Sequence, residues 1–249
     1  MDHEQELPGG NASGSVVRVG DTVRKPWTAA TPSVHAFMAH VRRCGVDVPS
    51  ALGRDDRSRQ ILEYVPGRLA IDAPPLGDDG LRRVGAIVRA IHDASESFCA
   101  APDAQWETAI PGPADDLVCH NDLGPWNLVI GERWVFIDWD AAAPSTRLWD
   151  LAYAAQAFTL SDVEVPVERS AAGLRAFVDG YGADVGLREE LPSAMQRRAE
   201  AMLELLTTAH DERREPWASM FSDGHGSHWT AVVDYVHDHR GLWLDALTH

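Results

Sequence analysis

The segment from Leu117 to Asp140 constrains the fold more than any other part of this chain, because apolar runs alternate there with polar residues. Three short apolar runs each predict a β-strand: Leu117–Cys119, Asn127–Ile130 and Trp134–Ile137. Gly131 and Glu132 supply turn chemistry between the last two runs, so these two strands should form a hairpin.

Polar side chains stand where these predicted strands begin and end. A hairpin returns the chain on itself, so Asn127 at its entry and Asp138 at its exit should lie side by side, with Asp122 just before them. Oxygen-bearing side chains that converge in this way suit a hard cation, which in proteins takes one or two carboxylates and leaves other positions to water and phosphate. The segment therefore predicts a Mg²⁺ site.

Two spaced motifs carry a family resemblance. The run His120-x-Asp122-x-x-x-x-Asn127, followed by Ile137-Asp138-Trp139-Asp140, resembles the catalytic and metal-binding loops of the aminoglycoside phosphotransferase family. These are kinase-like O-phosphotransferases of small molecules. The general kinase pattern is His-Arg-Asp-x-x-x-x-Asn and then Asp-Phe-Gly, so this chain departs from it by Asn121 and by the Asp-Trp-Asp triplet.

The resemblance implies an α+β, two-lobed protein-kinase-like fold. Residues 1–66 would form a small β-rich N-lobe with a phosphate loop, a hairpin and one helix. Residues 67–249 would form a mainly helical C-lobe with the catalytic loop, the metal loop and acceptor-binding helices. The implied reaction is transfer of the γ-phosphoryl group of ATP, or alternatively GTP, to a small-molecule hydroxyl.

The family pattern also implies roles for the motif residues. Asp122 would accept or orient the proton of the acceptor hydroxyl, and His120 would brace the loop. Asn127 and Asp138 would hold Mg²⁺ on the nucleotide phosphates.

Two further aspartates have supporting roles by the same resemblance. Asp140 would lie behind the metal site or contact the metal weakly. Asp150, at the start of the next predicted helix, would hydrogen-bond the backbone of the catalytic loop as a structural brace.

The N-terminal region predicts a β-hairpin, which by the same resemblance would cover the nucleotide. Gly9–Ser15 is glycine-rich, which fits either a flexible tail or a phosphate-covering loop. The runs Val16–Val19 and Thr22–Lys25 predict a hairpin that Pro26 ends. Arg24 and Lys25 should point to opposite faces of their strand, so only one of them can contact the α- and β-phosphates, and the sequence does not say which.

A helix should follow, opened by Thr31 as N-cap and closed by Gly45. Its predicted buried stripe is Val34, Phe37, Met38 and Val41. Kinases carry a glutamate on this helix that holds the phosphate-binding lysine, but no acidic residue lies between Thr31 and Val46. His35 and His40 are the alternatives.

The segment Gln60–Gly67 is an apolar strand that ends in Pro-Gly. It resembles the family's hinge between the lobes. By that resemblance Glu63, Tyr64 and Val65 are the neighbours of the adenine ring.

Helical patterns dominate the rest of the chain. One helix should be capped by Asp78 or Asp79 and carry His92 as a structural residue, while residues 99–116 should be a loop. Later helices are predicted over residues 168–181, 188–213 and 227–247. By the same resemblance the C-terminal helices would form the acceptor pocket. Acidic residues on or next to them are either solvated surface charges or ligands for the ammonium groups of an acceptor: Glu200, Glu204, Asp211, Glu212 and Glu215.

Net charge and composition limit the classes of molecule that this protein is expected to bind. A formal net charge of −16 argues against nucleic-acid binding and is compatible with a cationic substrate such as an aminoglycoside. No apolar run reaches membrane-spanning length, and no secretory signal or C-x-x-C pair occurs. We therefore expect a cytoplasmic protein with reduced cysteines, a small-molecule acceptor, no membrane partner, and a monomer or weak homodimer.

Two other functions compete with phosphotransfer. The missing helix glutamate fits a pseudokinase-like module that binds a nucleotide or metabolite without transfer. A metal-dependent phosphoesterase would instead use His120, Asp122, Asp138 and Asp140 as metal ligands.

Overall fold

The structure, a computed structural model, describes residues 4–7 and 16–249. The predicted phosphate loop, within residues 9–15, lies outside the described residues. The described chain is α+β, with a small antiparallel sheet near its start and a helical majority, as predicted for the fold class. No helix within these described ranges is both long enough and apolar enough to cross a membrane.

The strands form three antiparallel groups with the orders β1-β2-β3-β5-β4, β6-β8-β9 and β10-β7. Their bounds are β1 Gln5–Glu6, β2 Val17–Val19, β3 Thr22–Pro26, β4 Ala51–Arg54, β5 Arg59–Glu63, β6 Arg68–Leu69, β7 Leu117–Cys119, β8 Leu128–Ile130, β9 Trp134–Phe136 and β10 Ala143–Ser145. The hairpin predicted around Gly20 is confirmed, because Val17 pairs with Arg24 and Val19 pairs with Thr22. The sequence did not predict β1, β4, β6 or β10.

Helices occupy the space between and after these strands. Their bounds are α1 Thr31–Arg43, α2 Asp78–Ser95, α3 Arg147–Thr159, α4 Val167–Tyr181, α5 Val185–Glu212, α6 Trp217–Met220, α7 Gly226–Asp238 and α8 Arg240–Thr248. Residues 99–116 contain turns and bends without helix or strand, as predicted.

Helix α1 buries the stripe that its spacing predicts: Val34, Phe37, Met38 and Val41. The predicted N-cap is wrong by one residue, since Ala30 is the cap and Thr31 is already helical. The reason is that the Thr31 hydroxyl accepts a hydrogen bond from the backbone N–H of Thr28, at 2.9 Å, and so serves the turn before the helix. Helix α2 likewise starts after Gly77, with Asp78 in its first turn rather than at the cap.

The C-terminal helices differ from the prediction at two places. Helix α5 starts earlier than predicted, because the Asp184 carboxylate caps it by accepting the Leu187 N–H at 2.9 Å. The predicted single helix over residues 227–247 is wrong, since the helical path breaks at His239. The break lets Trp243 fold back, fully buried, and donate its indole N–H to the Val236 carbonyl at 3.1 Å.

Helices α2 and α4 pack with their backbones in contact. A Cβ added at Gly85 would collide with the Phe177 carbonyl oxygen, and one at Gly180 would collide with the Arg82 carbonyl oxygen. The two helix backbones therefore touch only because both positions lack a side chain. Helix α2 also contacts β7, where the Ser95 hydroxyl donates to the Val118 carbonyl at 2.5 Å.

Candidate active site

The catalytic loop leaves β7 through a residue in the left-handed conformation, Asn121, with φ 64°. Its backbone N–H donates to Asp150 Oδ1 at 2.9 Å. Its side-chain amide donates to the carbonyls of Ala141 and Ala143, both at 3.2 Å. Asn121 thus ties the catalytic loop to α3 on one side and to the segment after Asp138 on the other.

Asp150 is fully enclosed, with 1% of its surface exposed. Its second oxygen bonds His92 Nε2 at 3.0 Å, and His92 Nδ1 bonds the Tyr181 hydroxyl at 2.9 Å. The ligand atoms of His92, Cys119 and Asp150 lie within 4.8 Å of one another, but each of these residues already has a protein partner. The cluster is a closed structural brace beneath the loop.

His120 lies between the catalytic loop and the metal loop. Its Nε2 bonds the Ile137 carbonyl at 3.1 Å, and its Nδ1 accepts the Asp122 backbone N–H at 3.3 Å. Burial lowers the pKa of His120, outweighing the nearby carboxylates. A neutral imidazole with both nitrogens occupied can hold the two loops together but has no free atom for a metal.

The Asp122 carboxylate faces two donors in its own loop. Trp126 Nε1 donates to Oδ1 at 3.2 Å, and Asn127 Nδ2 donates to Oδ2 at 2.8 Å. Burial raises the pKa of Asp122, and the neighbouring Asp138 adds to the rise, while the two donors oppose it. A raised pKa makes this carboxylate a better proton acceptor than an ordinary surface aspartate.

Beside Asp122 lies an aromatic surface that the motif did not predict. The rings of Trp126 and Tyr153 are 6.0 Å apart, and Tyr153 stacks on Trp229 at 6.3 Å. The guanidinium of Arg198, which is 4% exposed, lies 4.0 Å from the Tyr153 ring centroid. Arg198 Nη1 is buried and has no hydrogen-bond partner among the described residues.

Asn127 and Asp138 meet where the prediction places them, although the local structure differs. Asn127 ends a 3₁₀ turn over Pro125–Asn127, so strand β8 begins one residue later than predicted. The Ile137 N–H donates to the Asn127 carbonyl at 2.8 Å, which sets Asp138 beside Asn127. Asp138 itself is left-handed, with φ 59°, and that turns its side chain out of the hairpin.

This pair offers the oxygen chemistry of a Mg²⁺ site. The Asn127 amide nitrogen is used on Asp122, which directs the amide oxygen away from that contact. Asp138 binds Lys25 through Oδ1, which leaves Oδ2 for another partner, and 28% of the Asp138 side chain is exposed. One amide oxygen and one accessible carboxylate fit a hard cation that also keeps water and phosphate ligands.

Lys25 reaches this site from β3. It is 4% exposed, and its ammonium group contacts Asp138 Oδ1 and, at 2.7 Å, Asp140 Oδ2. Burial alone would lower the pKa of Lys25, but the two carboxylates raise it above its ordinary value. Burial would likewise raise the pKa of Asp138, yet the Lys25 ammonium holds it low.

Arg24 turns to the other face of the strand, as the alternation of side chains requires. Its guanidinium donates to Thr22 Oγ1 at 2.6 Å and lies 3.7 Å from Asp55. Of the two candidate cations, the structure brings only Lys25 to the metal loop.

Glu63, Tyr64 and Val65 lie at the end of β5 and just beyond it. The Glu63 carboxylate accepts the backbone N–H and hydroxyl of Ser50, both at 2.9 Å, and contacts Arg133. The Tyr64 N–H donates to the Asp21 carbonyl at 3.0 Å, and Val65 is buried in a small cluster with Val129 and Val135. The Glu63 side chain and the Tyr64 N–H are therefore already engaged.

The acidic residues considered as ammonium ligands are all exposed: Glu200, Glu204, Asp211, Glu212 and Glu215. Glu200 accepts a hydrogen bond from Gln196 on the same helix face at 2.8 Å. The side chains that approach Asp122 from the later helices are instead aromatic or cationic: Tyr153, Arg198 and Trp229. No periodicity marks them, because they come from different helices: Tyr153 from α3, Arg198 from α5 and Trp229 from α7.

Comparison with known proteins places this geometry in a family context. The profile of the phosphotransferase enzyme family matches residues 99–196, which include the catalytic and metal loops. A trifolitoxin immunity protein of Rhizobium leguminosarum bv. trifolii is 28% identical over 244 residues, covering 88% of this chain and 91% of the relative.

Solved structures share the fold. An amicoumacin kinase in complex with AMP-PNP, Ca²⁺ and Ami superposes with a TM-score of 0.69 at 14% identity, covering 93% of this chain and 88% of that one. A spectinomycin phosphotransferase in complex with ADP and spectinomycin gives 0.67 at 13% identity, covering 97% and 94%. The fold is thus that of small-molecule kinases, and the predicted resemblance to the phosphotransferase family is confirmed.

Proposed function

Because the chain resembles the phosphotransferase enzyme family across its catalytic segment, we propose that it transfers the γ-phosphoryl group of ATP to a hydroxyl of a small molecule. The observation that carries this proposal is the junction at Asn127. This residue donates to the Asp122 carboxylate at 2.8 Å and, through its backbone, fixes the position of Asp138. The side chain of Asn127 thereby holds the proposed proton acceptor, Asp122, and its backbone carbonyl positions the proposed metal ligand, Asp138.

In this mechanism Asp122 orients the acceptor hydroxyl and takes its proton as the oxygen attacks the phosphorus. Its raised pKa favours that transfer, and Trp126 and Asn127 keep the carboxylate aimed. His120 does not touch substrate but holds the loop to the Ile137 carbonyl. The reaction then depends mostly on positioning and on neutralisation of phosphate charge.

On the nucleotide side, Asn127 and Asp138 would hold Mg²⁺, and Lys25 would contact the α- and β-phosphates. When bound, Mg²⁺ would neutralise negative charge on the phosphates during transfer. Lys25 is chosen over Arg24 because only Lys25 lies at the metal loop. Glu63, which ends β5, and the following Tyr64 and Val65 would border the adenine through backbone groups other than the Glu63 and Tyr64 N–H groups, which bond the carbonyls of Ser50 and Asp21.

The two-lobed division at residues 66 and 67 is part of the same proposal. Strands β1 to β5 and helix α1 all precede the division, and helices α2 to α8 all follow it. Lys25 and Asp138 face each other from the two sides, which is where a nucleotide would lie.

The acceptor would bind beside Asp122 against the aromatic surface of Trp126, Tyr153 and Trp229. Such a surface suits a ring or an apolar segment next to the reacting hydroxyl. Aminoglycosides remain one acceptor class, since the net charge of −16 attracts amines. The immunity protein that resembles this chain suggests a second class, a toxin or antibiotic whose phosphorylation would protect the cell.

The competing functions receive less support. A phosphoesterase would need its His and Asp ligands to converge, but within the described residues only His92, Cys119 and Asp150 form such a group. A nucleotide-binding module without transfer would not need a carboxylate of raised pKa held at the acceptor side.

The test is release of ADP from MgATP in the presence of a panel of hydroxyl-bearing compounds, including aminoglycosides and amino alcohols. Asp122→Asn should abolish acceptor-dependent release while leaving MgATP binding intact. Asp116→Asn, an exposed aspartate just before β7, is the matched control. Wild-type turnover in Asp122→Asn would exclude the assigned proton acceptor, and MgATP binding without any acceptor-dependent ADP release would favour the binding module.

A further inference from the structure

Helix α1 carries no acidic residue that could pair with Lys25, but Lys25 has carboxylate partners in the metal loop. In addition to Asp138, it contacts Asp140 Oδ2 at 2.7 Å. Asp140 begins the 3₁₀ turn Trp139–Ala141 directly after the metal ligand, and 32% of its side chain is exposed. A carboxylate of the metal loop therefore pairs with this lysine, whereas kinases use a glutamate of the helix for that ion pair.

Asp140 is itself held from the sheet. Gln60 on β5 donates from Nε2 to Asp140 Oδ1 at 3.2 Å and to the Pro26 carbonyl at 3.1 Å. Gln60 also pairs directly with Lys25 in the register of β3 and β5. The same strand pair thus presents both the cation and the group that orients its counter-ion.

The side-chain oxygen of Gln60 is held by a residue of α1. Its Oε1 bonds His35 Nε2 at 3.1 Å, and the His35 ring packs edge-on against Trp27 at 5.5 Å. Gln60 is 1% exposed, so all of its hydrogen-bonding capacity is spent inside the protein. His40 bonds the Ala94 carbonyl instead and takes no part in this relay.

We propose that Asp140 is the resident counter-ion of Lys25, in place of the helix carboxylate of kinases, and that Gln60, anchored by His35, is the residue that positions Asp140. This inference rests on the proposed function, because it assigns Lys25 to the nucleotide phosphates. When Asp138 turns to the metal, Lys25 keeps Asp140 as its partner and stays directed at the phosphates. Without Asp140, Lys25 would retain Asp138 alone and compete with Mg²⁺ for it.

Removal of the Asp140 carboxylate, and its relocation to position 60, test this assignment. Asp140→Asn removes the counter-ion, and Gln60→Leu removes the amide that donates to it. The double variant Gln60→Glu with Asp140→Asn places the carboxylate at position 60 instead of position 140. The readouts are calorimetric Kd values for ATP with and without Mg²⁺, the Mg²⁺ concentration for half-maximal binding, and thermal melts.

Loss of the counter-ion should weaken ATP binding about tenfold, the effect of one charge-assisted hydrogen bond, both with and without Mg²⁺. Gln60→Leu should weaken it in the same direction, and the double variant should recover most of the metal-free affinity. Gln196→Leu, at a half-buried glutamine on α5 whose side chain bonds Glu200, controls for the substitution and should leave ATP binding and its Mg²⁺ dependence unchanged.

Other outcomes separate the explanations. If Asp140→Asn raises only the Mg²⁺ requirement and leaves metal-free ATP binding unchanged, Asp140 acts as a metal ligand and the proposal is wrong. Equal losses in Asp140→Asn and the double variant, with unchanged melts, would also overturn it. If the wild type binds neither ATP nor GTP, the proposed function itself fails.

Discussion

Replacing Trp126 with phenylalanine should raise the pKa of Asp122 by about one unit. The substitution removes the indole N–H that donates to Asp122 Oδ1 at 3.2 Å but keeps an aromatic ring in the same place. A hydrogen bond to a charged group contributes about 1.5–3 kcal/mol, and 3.2 Å is the long end of the normal range, which selects the lower value. One pKa unit corresponds to about 1.4 kcal/mol.

The direct assay is a ¹³C NMR titration of the aspartate carboxyl carbons, with Asp122 assigned by its absence in Asp122→Asn. The pH dependence of kcat/KM should follow, because the proton acceptor must be ionised: its acidic limb should move upward with the pKa. Trp229→Phe is the control, since Trp229 stacks on Tyr153 but does not donate to Asp122.

An unchanged or lower pKa in Trp126→Phe would show that the indole does not stabilise the ionised carboxylate. An equal rise in Trp229→Phe would mean that general packing, and not this hydrogen bond, controls the pKa. Either result would refute the account of how the loop tunes Asp122.

Three further predictions concern binding and stability. Lys25→Met should weaken MgATP binding by calorimetry about tenfold to hundredfold, since it removes a charged phosphate ligand, whereas Arg24→Met should change it less than about twofold; equal losses would contradict the choice of Lys25. Because burial raises the pKa of Asp122, the folded protein holds the Asp122 proton to higher pH than the unfolded chain does. The free energy of unfolding of the wild type relative to Asp122→Asn, measured with urea, should therefore fall as pH rises above about 4. A difference that does not depend on pH would contradict this. Asp150→Asn should cost about 3 kcal/mol or more in urea unfolding, because an amide cannot accept from both His92 and the loop backbone; a loss below about 1 kcal/mol would show that the brace is dispensable.

Short-range patterns predicted much of the fold. The 3, 4 and 7 spacing on α1 identified its buried residues, and alternation on β3 correctly put Arg24 and Lys25 on opposite faces. Which face meets the metal loop depends on the pairing of β3 with β5 and on its placement over Asp138. That is a tertiary relation, and no local pattern encodes it.

The surroundings of the candidate site were less accessible from the sequence. Asn121 was noted only as a departure from the kinase pattern, although it has a left-handed backbone and its amide joins the catalytic loop to the carbonyls of Ala141 and Ala143. Asparagine tolerates that conformation, which is the one local signal available. Gln60 and Arg198 could not be singled out from the sequence, because each directly follows other polar residues and its partners are distant along the chain.

Calorimetric titration of the wild type with ATP, with and without Mg²⁺, and of Asp138→Asn under the same conditions tests the central claim most directly. The account predicts that Mg²⁺ strengthens binding to the wild type and that this Mg²⁺-dependent gain disappears in Asp138→Asn. Equal Mg²⁺ dependence in both proteins would contradict the assignment of Asp138, and absence of binding to ATP and GTP would contradict the phosphotransferase itself.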